Sequence, residues 1–273
     1  MSLDQRQAAP MAVAPPPPGT PGGGGATVRI SGVSKVFGHG RTSLQALDRV
    51  SLAVGQGEFV CLIGASGCGK STLLSLVAGL DTPTAGGIDT TGRRMALMFQ
   101  EPALFPWLTA ARNVELPLRA AGVPKAERHR RAAELLDTVH LGSFGAKRPH
   151  ELSGGMRQRV ALARALAQDA DVLLMDEPFG ALDAMTRDLL HDELDRICSE
   201  RGLTVLFVTH NVREAVRLGD RVVVLSSRPG RVIDEFGVPI ERPRRIDSAP
   251  VAQLASAITD RLREEMGRHG QAR

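Results

Sequence analysis

The sequence contains no tyrosine, and eight phenylalanines with a single tryptophan bring its aromatic content to only 3%. Because 42% of the residues are nevertheless hydrophobic, we expect a core of aliphatic helices and strands rather than an aromatic-rich sandwich. Cysteine is scarce as well. Cys61, Cys68 and Cys198 are neither paired by spacing nor clustered with histidine, which is typical of a reducing compartment and indicates no metal site.

Long hydrophobic runs are also missing. No stretch approaches the roughly 20 apolar residues that a membrane-spanning helix needs, and the N-terminus lacks the basic-then-apolar pattern of a secretion signal. The formal net charge is only +4, which permits contact with an anionic ligand but does not by itself indicate nucleic-acid binding. We therefore expect a globular protein of the cytoplasm that depends on another chain for any membrane-spanning role.

Residues 1–26 differ from the rest of the chain because they hold runs of proline at 15–18 and glycine at 22–25. Such a segment buries too little apolar surface to offset the entropy of ordering, so a disordered tail is predicted. After it, short apolar runs alternate with helical periods. The runs at 59–63, 172–175, 204–208 and 222–225 show no polar alternation, which is typical of parallel strands covered on both faces.

Helical patterns lie at 70–78, 125–139, 156–167 and 186–199. Their alternation with the strands predicts an α/β fold with helices on both faces of the sheet. Residues 100–150 lack strand-like runs, so we expect a helical subdomain inserted at about 100–165. The main domain is predicted over 27–245, followed by a charged helical extension over 246–273 with its helix at 251–266.

The most specific motif, G-x-x-x-x-G-K-S at residues 64–71, stands at a predicted strand-to-helix junction. Its glycines let the loop wrap a triphosphate, so that backbone N–H groups and the start of the next helix face the phosphate oxygens. Lys70 is expected to reach the β- and γ-phosphates of ATP, and the Ser71 hydroxyl to bind Mg²⁺. The alternative, a purely structural glycine turn, is disfavoured because the motif lies at a predicted strand-to-helix junction. The predicted ATP-binding residues are Gly64, Ala65, Ser66, Gly67, Cys68, Gly69, Lys70, Ser71 and Thr72.

Two further predicted strands end in residues suited to nucleotide chemistry. Asp176 is expected to bind Mg²⁺, and Glu177 to polarise the water that attacks the γ-phosphate. His210 follows the third strand, at the edge where open α/β sheets bind ligands, and is a candidate phosphate sensor. A solvated strand end and a structural histidine are the alternatives, and only the combination with the phosphate loop favours catalysis.

The segment L-S-G-G-M-R-Q-R at 152–159, upstream of Asp176, resembles the signature sequence of ABC ATPases. Ser153, Gly154 and Gly155 would begin a helix and offer a second anion site. The resemblance implies a P-loop NTPase of the ABC type, with a mainly parallel sheet, an N-terminal antiparallel β subdomain and an inserted helical subdomain. It also implies a head-to-tail dimer with a second copy of the chain and two ATP molecules at the interface.

Three other positions carry the same resemblance. Gln100 is similar to the glutamine that touches Mg²⁺ or the attacking water, and Asp183 to the loop residue that crosses the dimer interface in Ala181-Leu182-Asp183. Phe37 is similar to the aromatic residue that stacks on adenine, with a plain core aromatic as the alternative.

Within the family, the stretches at 104–109, 178–183 and 227–232 resemble importers of nitrate, sulfonates and taurine, and fit other small-solute importers as well. The resemblance implies an ATPase at the cytoplasmic side of the cell membrane. Its implied partners are membrane-spanning permease subunits and, indirectly, an extracytoplasmic solute-binding protein. A soluble ABC-type ATPase acting on nucleic acid or ribosomes is the alternative, disfavoured by the single phosphate loop and the lack of heptads or a basic stripe. A P-loop kinase or GTPase is disfavoured by the signature and Gln100.

Two local expectations remain. The apolar cluster of Phe105, Pro106, Trp107 and Leu108 is expected to line a groove for a permease helix, the alternative being that it fills the subdomain core. Cys68 lies between a helix start and Lys70, so its thiol is expected to be exposed and to have a lowered pKa. The alternative there is a small residue turned inward.

Overall fold

The computed structural model describes residues 26–38, 40–90, 92–180 and 182–270, so residues 1–25 of the predicted tail and Ala181 lie outside the described residues. Residue 26 already belongs to the first strand, one position earlier than predicted. Short 3₁₀ helices occupy Gly40–Thr42, Gly142–Phe144 and Pro149–Glu151. The strands and helices are β1 (Ala26–Phe37), β2 (Leu44–Gly55), β3 (Phe59–Gly64), α1 (Lys70–Val77), β4 (Ala85–Asp89), β5 (Met95–Met98), α2 (Ala110–Ala120), α3 (Lys125–Thr138), α4 (Gly154–Leu166), β6 (Val172–Asp176), α5 (Ala184–Arg201), β7 (Thr204–Val208), α6 (Val212–Leu218), β8 (Arg221–Leu225), β9 (Val232–Gly237) and α7 (Ala249–Gly270).

The main sheet has six strands in the order β5-β6-β7-β3-β8-β9. All neighbouring pairs are parallel except β8 and β9, which run antiparallel. The four apolar runs of the sequence are the four central strands, as predicted. The edge strands β5 and β9 were not predicted, because β5 has only four residues and β9 is half-buried and carries two acidic residues.

Alternate residues of the central strands face two different hydrophobic clusters, as side chains on a strand must. Val60 and Leu62 of β3 pack with α1 and with the antiparallel sheet of order β2-β1-β4. Cys61 and Ile63 face the other cluster, which contains the apolar sides of α2 to α7. The sheet is therefore covered on both faces, which confirms the predicted α/β fold and its N-terminal antiparallel subdomain.

The helices after β5 form a group in which α2 contacts both α3 and α4. The last helix, α7, packs on α6 and buries Val251 and Ile258. Over the described ranges, no helix has both the length and the apolar character required to cross a bilayer. The predicted division of the chain at residues 26 and 245 stays a prediction.

Candidate functional site

The phosphate loop connects β3 to α1 and closes tightly against β2. Gly67 and Gly69 have φ values of 72° and 102°, in the left-handed region that favours glycine. A Cβ at Gly69 would lie 2.7 Å from Cδ2 of Leu47 and 2.8 Å from the carbonyl oxygen of Ala46. The glycine in this position therefore permits both the turn and the close approach of β2.

Lys70 is the first residue of α1, and its side chain turns back into the loop. Its ammonium group donates hydrogen bonds to the carbonyl oxygens of Gly64 at 2.9 Å and Ala65 at 3.1 Å, and the residue is only 5% exposed. In the described chain no side chain caps the start of α1. The N–H groups of its first turn can thus face an anion together with the Lys70 cation.

Ser71, near the start of α1, lies close to Asp176 at the end of β6. Burial raises the pKa of Asp176, while the nearby Ser71 hydroxyl acts in the opposite direction. Glu177 next along the chain raises that pKa further, and Lys70 lowers it. The side-chain oxygens of Ser71 and Asp176 thus lie close together, near the Lys70 ammonium group. Such oxygen ligands are the kind that Mg²⁺ prefers.

Glu177 and His210 meet although they follow different strands. The backbone N–H of Glu177 donates to the carbonyl of Val208 at 2.9 Å, which ties the end of β6 to the end of β7. Nδ1 of His210 lies 2.9 Å from Oε2 of Glu177. Glu177 also has a φ of 44°, which is uncommon for a residue with a side chain. The carboxyl ends of neighbouring parallel strands thus bring the predicted pair together.

A buried polar network lies behind His210. The Thr209 hydroxyl donates to one carboxylate oxygen of Glu214, and Nε2 of His191 lies 2.6 Å from the other. His191 and Glu214 are buried, and Asn211 caps α6 by accepting from the backbone N–H of Glu214 at 3.3 Å. This network connects the residues around His210 to α5. No local sequence pattern indicates this network, because His191 lies on α5 and Glu214 on α6.

A pocket of about 350 Å³ opens over the phosphate loop. Phe37 forms part of its rim and is 41% exposed, so the alternative of a plain core aromatic is wrong. Gln100 and Glu177 line the same pocket from the ends of β5 and β6. Its other lining residues are Leu44, Ala46, Ser66, Gly67, Gly69, Lys70, Ser71, Thr72 and Arg228.

The signature residues do not line this pocket in the described part of the chain. Ser153 caps α4 by accepting a hydrogen bond from the backbone N–H of Met156 at 3.2 Å, and both Ser153 and Gly154 are exposed. Gly155 packs tightly against α5, since a Cβ there would lie 2.6 Å from Cγ2 of Thr186. The start of α4 is therefore an exposed helix N-terminus separate from the phosphate loop.

Asp183 caps α5 and is also exposed. Its carboxylate accepts from the backbone N–H of Thr186 at 3.0 Å, and this bond lowers the pKa of Asp183. Gln158, a further signature residue, donates from Nε2 to the carbonyl of Gln100 at 2.9 Å. Through this hydrogen bond, α4 contacts the backbone of a residue that lines the pocket.

The expectation for the Cys68 thiol is wrong. Cys68 is 1% exposed, and burial raises the pKa of its thiol, an effect that outweighs the opposing influence of Lys70. Sγ points inward, where a Cβ at Gly64 would lie 2.9 Å from it. The alternative of an inward-turned small residue is the one the fold adopts.

Arg228, Leu44 and Ala46 also line the pocket, although none of them was predicted as a site residue. Leu44 and Ala46 belong to β2, which has no motif at these positions. Arg228 was noted only as part of the stretch 227–232. The one sequence signal for Arg228 was a positive charge next to a Pro-Gly turn. Because this turn lies far from the phosphate loop in the chain, the signal did not indicate a place in the pocket.

The fold and the site together define a P-loop nucleotide-binding protein. The family described as "ABC transporter" matches residues 47–180. The nitrate import ATP-binding protein of a Synechocystis strain is 47% identical, over 77% of this chain and 82% of that protein. The chain belongs to the ABC transporter family and is one of its ATP-binding, ATP-hydrolysing proteins.

Two other similarities extend this result. The taurine import ATP-binding protein of Mesorhizobium japonicum is 52% identical over 70% of this chain and 77% of that protein. Among solved structures, a dimeric ATP-binding cassette in a post-hydrolysis state with ADP and phosphate matches with a TM-score of 0.69. That similarity has 35% identity and covers 78% of this chain and all of the other.

Proposed function

We propose that this chain is the ATPase subunit of an importer for a small solute with an oxyanion group, such as nitrate, taurine or another sulfonate. The observation that carries the proposal is that the carboxyl ends of β3, β6 and β7 lie close together. Lys70 and Glu177 line one pocket there, Asp176 lies near Lys70, and His210 contacts Glu177. The names of the relatives in nitrate and taurine import support the class of solute. Specificity for one solute would belong to other subunits.

The residues around the loop suit ATP. The left-handed glycines, the uncapped start of α1 and the buried Lys70 together form a cradle for phosphate oxygens. Phe37 offers an exposed ring at the pocket rim for the adenine. The proposed nucleotide contacts are the loop residues 64–72, with Lys70 on the β- and γ-phosphates.

The adjacent pair of Ser71 and Asp176 suits Mg²⁺, since both offer hard oxygen donors and Gln100 lines the same pocket. When bound there, the ion neutralises negative charge on the phosphates. Glu177 would orient the water and accept its proton. His210, held 2.9 Å from Glu177, would fix the carboxylate and donate from its other nitrogen toward the γ-phosphate.

The signature residues complete the proposal only with a second copy of the chain. Because Ser153 and Gly154 are exposed and lie apart from the pocket, they are free to cover a nucleotide held by another copy. Asp183 at the exposed start of α5 would cross the same interface. The dimeric form of the similar cassette supports this assembly.

The remaining partners are membrane-spanning permease subunits and, through them, an extracytoplasmic solute-binding protein. The chain would then lie at the cytoplasmic face of the cell membrane as a peripheral subunit. The exposed rings of Phe105 and Trp107, which follow the pocket residue Gln100 closely in the chain, support a contact with such subunits.

Uptake in whole cells tests the proposal. We expect a strain deleted for this chain to lose import of nitrate, taurine or an alkanesulfonate, and the wild-type chain to restore it. The Lys70→Ala variant, made to the same level, should fail to restore uptake. Unchanged uptake of all three solutes in the deletion strain would contradict the proposed solute class, and co-purification with ribosomes instead of membranes would contradict the transport role.

A further inference from the structure

The loop at residues 226–231, between β8 and β9, lies directly on the phosphate loop and β2. The backbone N–H of Gly230 donates to the carbonyl of Ala46 at 2.9 Å, and the N–H of Asp48 donates to the carbonyl of Gly230 at 2.9 Å. A Cβ at Gly230 would lie 2.2 Å from the carbonyl oxygen of Cys68, so only glycine allows this contact. The backbone of the 226–231 loop is therefore held in a defined position beside the nucleotide pocket.

Side chains within the loop reinforce that position. The Ser226 hydroxyl donates to the carbonyl of Pro229 at 2.8 Å and accepts from the backbone N–H of Arg231 at 2.9 Å. Nη2 of Arg231 lies 2.5 Å from a carboxylate oxygen of Asp48. Arg231 is thus an ion-paired, structural cation of the loop.

Arg228, in the same loop, is held differently. Its Nε donates to the carbonyl of Gly67 at 3.0 Å, and Nη2 lies 2.8 Å from the position a Cβ of Gly67 would occupy. Across the described ranges, no hydrogen bond or carboxylate contact is made by its two Nη atoms. The guanidinium is anchored at one nitrogen, exposed, and part of the pocket that also contains Lys70.

We propose that Arg228 binds the nucleotide directly and contributes a second cation, beside Lys70, to its phosphate groups. The inference rests on the proposed function of this pocket. An arginine fork matches phosphate oxygens better than any other side chain, and its bonds to a charged acceptor are stronger than neutral ones. The anchor at Gly67 orients the free Nη donors before the nucleotide arrives, which reduces the entropy lost on binding.

Nucleotide affinity measures this contribution directly. We expect Arg228→Gln to weaken the binding of ATP and of GTP by about tenfold, because a charge-assisted hydrogen bond to phosphate is lost. KM for ATP should rise by a similar factor with little change in kcat, since the contact exists in ground and transition states alike. The salt dependence of ATP binding should also become less steep, whereas Arg228→Lys should keep the wild-type salt dependence.

Arg231→Gln is the matched control, because it removes a positive charge from the same loop while the backbone hydrogen bonds of Gly230 still hold that loop in place. It should leave ATP affinity near the wild-type value. Unchanged affinity in Arg228→Gln, or a loss for ATP without a loss for GTP, would overturn the phosphate contact. A loss of ATP affinity in Arg228→Gln with no change in salt dependence would likewise overturn it in favour of a loop-supporting role.

The Lys70→Ala variant distinguishes a failure of the Arg228 proposal from a failure of the proposed nucleotide-binding function. Retention of ATP binding in Lys70→Ala would show that the pocket is not the nucleotide site, so the proposed function would fail. Loss of binding in Lys70→Ala together with wild-type affinity in Arg228→Gln would overturn the inference alone.

Discussion

Glu177 holds its place at the site through an uncommon backbone conformation. Its φ of 44° turns the side chain away from the direction of β6 and toward His210 on the next strand end. A non-glycine residue in the left-handed region costs about 1–3 kcal/mol, which the surrounding structure must offset. The hydrogen bond from its own N–H to Val208 contributes to that support.

Glu177→Gln should preserve ATP binding and stop turnover. Glutamine is nearly isosteric but cannot accept the proton of the attacking water, and the two-ATP dimer should persist because hydrolysis is the step that opens it. Phosphate release and size-exclusion chromatography with Mg²⁺-ATP measure the two effects.

Glu200→Gln is the control for Glu177→Gln, since Glu200 is an exposed carboxylate on α5 paired with Arg196. This variant should hydrolyse ATP at the wild-type rate. Hydrolysis by Glu177→Gln within a few-fold of wild type, about 1 kcal/mol or less in the barrier, would contradict the general-base role.

The cysteines should react slowly with thiol reagents in the native protein. Cys61, Cys68 and Cys198 are all buried, and burial raises the pKa of each thiol, to about 12 for Cys198. Because a raised pKa leaves little thiolate near neutral pH, we expect slow maleimide labelling that accelerates only at strongly alkaline pH.

In denaturant all three thiols should label quickly, which provides the control for reagent and protein quality. Mg²⁺-ATP should make little difference to Cys68 in the native state. Rapid labelling of Cys68 that ATP prevents would contradict its inward orientation.

Among the elements of the fold, the loop before α2 carries the aromatic residues Phe105 and Trp107 and is held in place by hydrogen bonds from α2. Asn113 of α2 is fully buried, accepts from the N–H of Phe105 at 2.8 Å and donates to the carbonyls of Leu108 and Thr109 at 3.3 and 3.0 Å. Trp107 is nevertheless 67% exposed, with its ring 5.4 Å from that of Phe105. The exposure favours a partner surface over the alternative in which these rings fill the core.

Trp107→Ala should uncouple transport from ATP hydrolysis and leave the melting temperature of the isolated subunit nearly unchanged, because the ring has few internal contacts to lose. Solute uptake, ATPase activity and thermal unfolding together test this. Leu118→Ala, at a buried position of the following helix α2, should instead lower the free energy of unfolding by about 2–5 kcal/mol. A loss of that size in Trp107→Ala would mean that the ring is a core residue after all.

For the molecule as a whole, the pocket over the phosphate loop and the exposed helix cap at Ser153 are separate within one copy. In the proposed dimer, each nucleotide would therefore lie between the pocket of one copy and the Ser153 cap of the other. Two copies related by a twofold axis would supply it twice, because such an interface repeats each contact.

Mixed dimers test this arrangement. Lys70→Ala and Ser153→Arg chains should each be inactive alone, yet mixing them should restore activity. Random pairing makes half of the dimers mixed, and each mixed dimer retains one intact site, so up to about a quarter of the wild-type rate is expected. ATPase assays over a range of mixing ratios measure it, with thermal unfolding of each variant as the folding control. No recovery in a mixture of folded variants, or full activity of Ser153→Arg alone, would contradict the shared site.

The class of fold and most of the candidate site could be predicted from the order of residues alone. Apolar runs without alternation identified the four central strands, because a strand covered on both faces has no reason to carry polar residues. The phosphate loop, Asp176, Glu177 and His210 were found because each follows such a strand, and parallel strands share one carboxyl edge.

Features that depend on contacts between distant segments could not be predicted before the packed fold was known. Burial against Lys70 and Gly64 makes Cys68 an unreactive thiol, although the local sequence favoured an activated one. Packing of the 226–231 loop on β2 brings Arg228 to Gly67, 161 positions apart in the chain. Local sequence patterns indicate the propensity for helix or strand and the place of a residue within a helix. Desolvation and side-chain pairing depend instead on which surfaces come into contact when the sheets and helices pack.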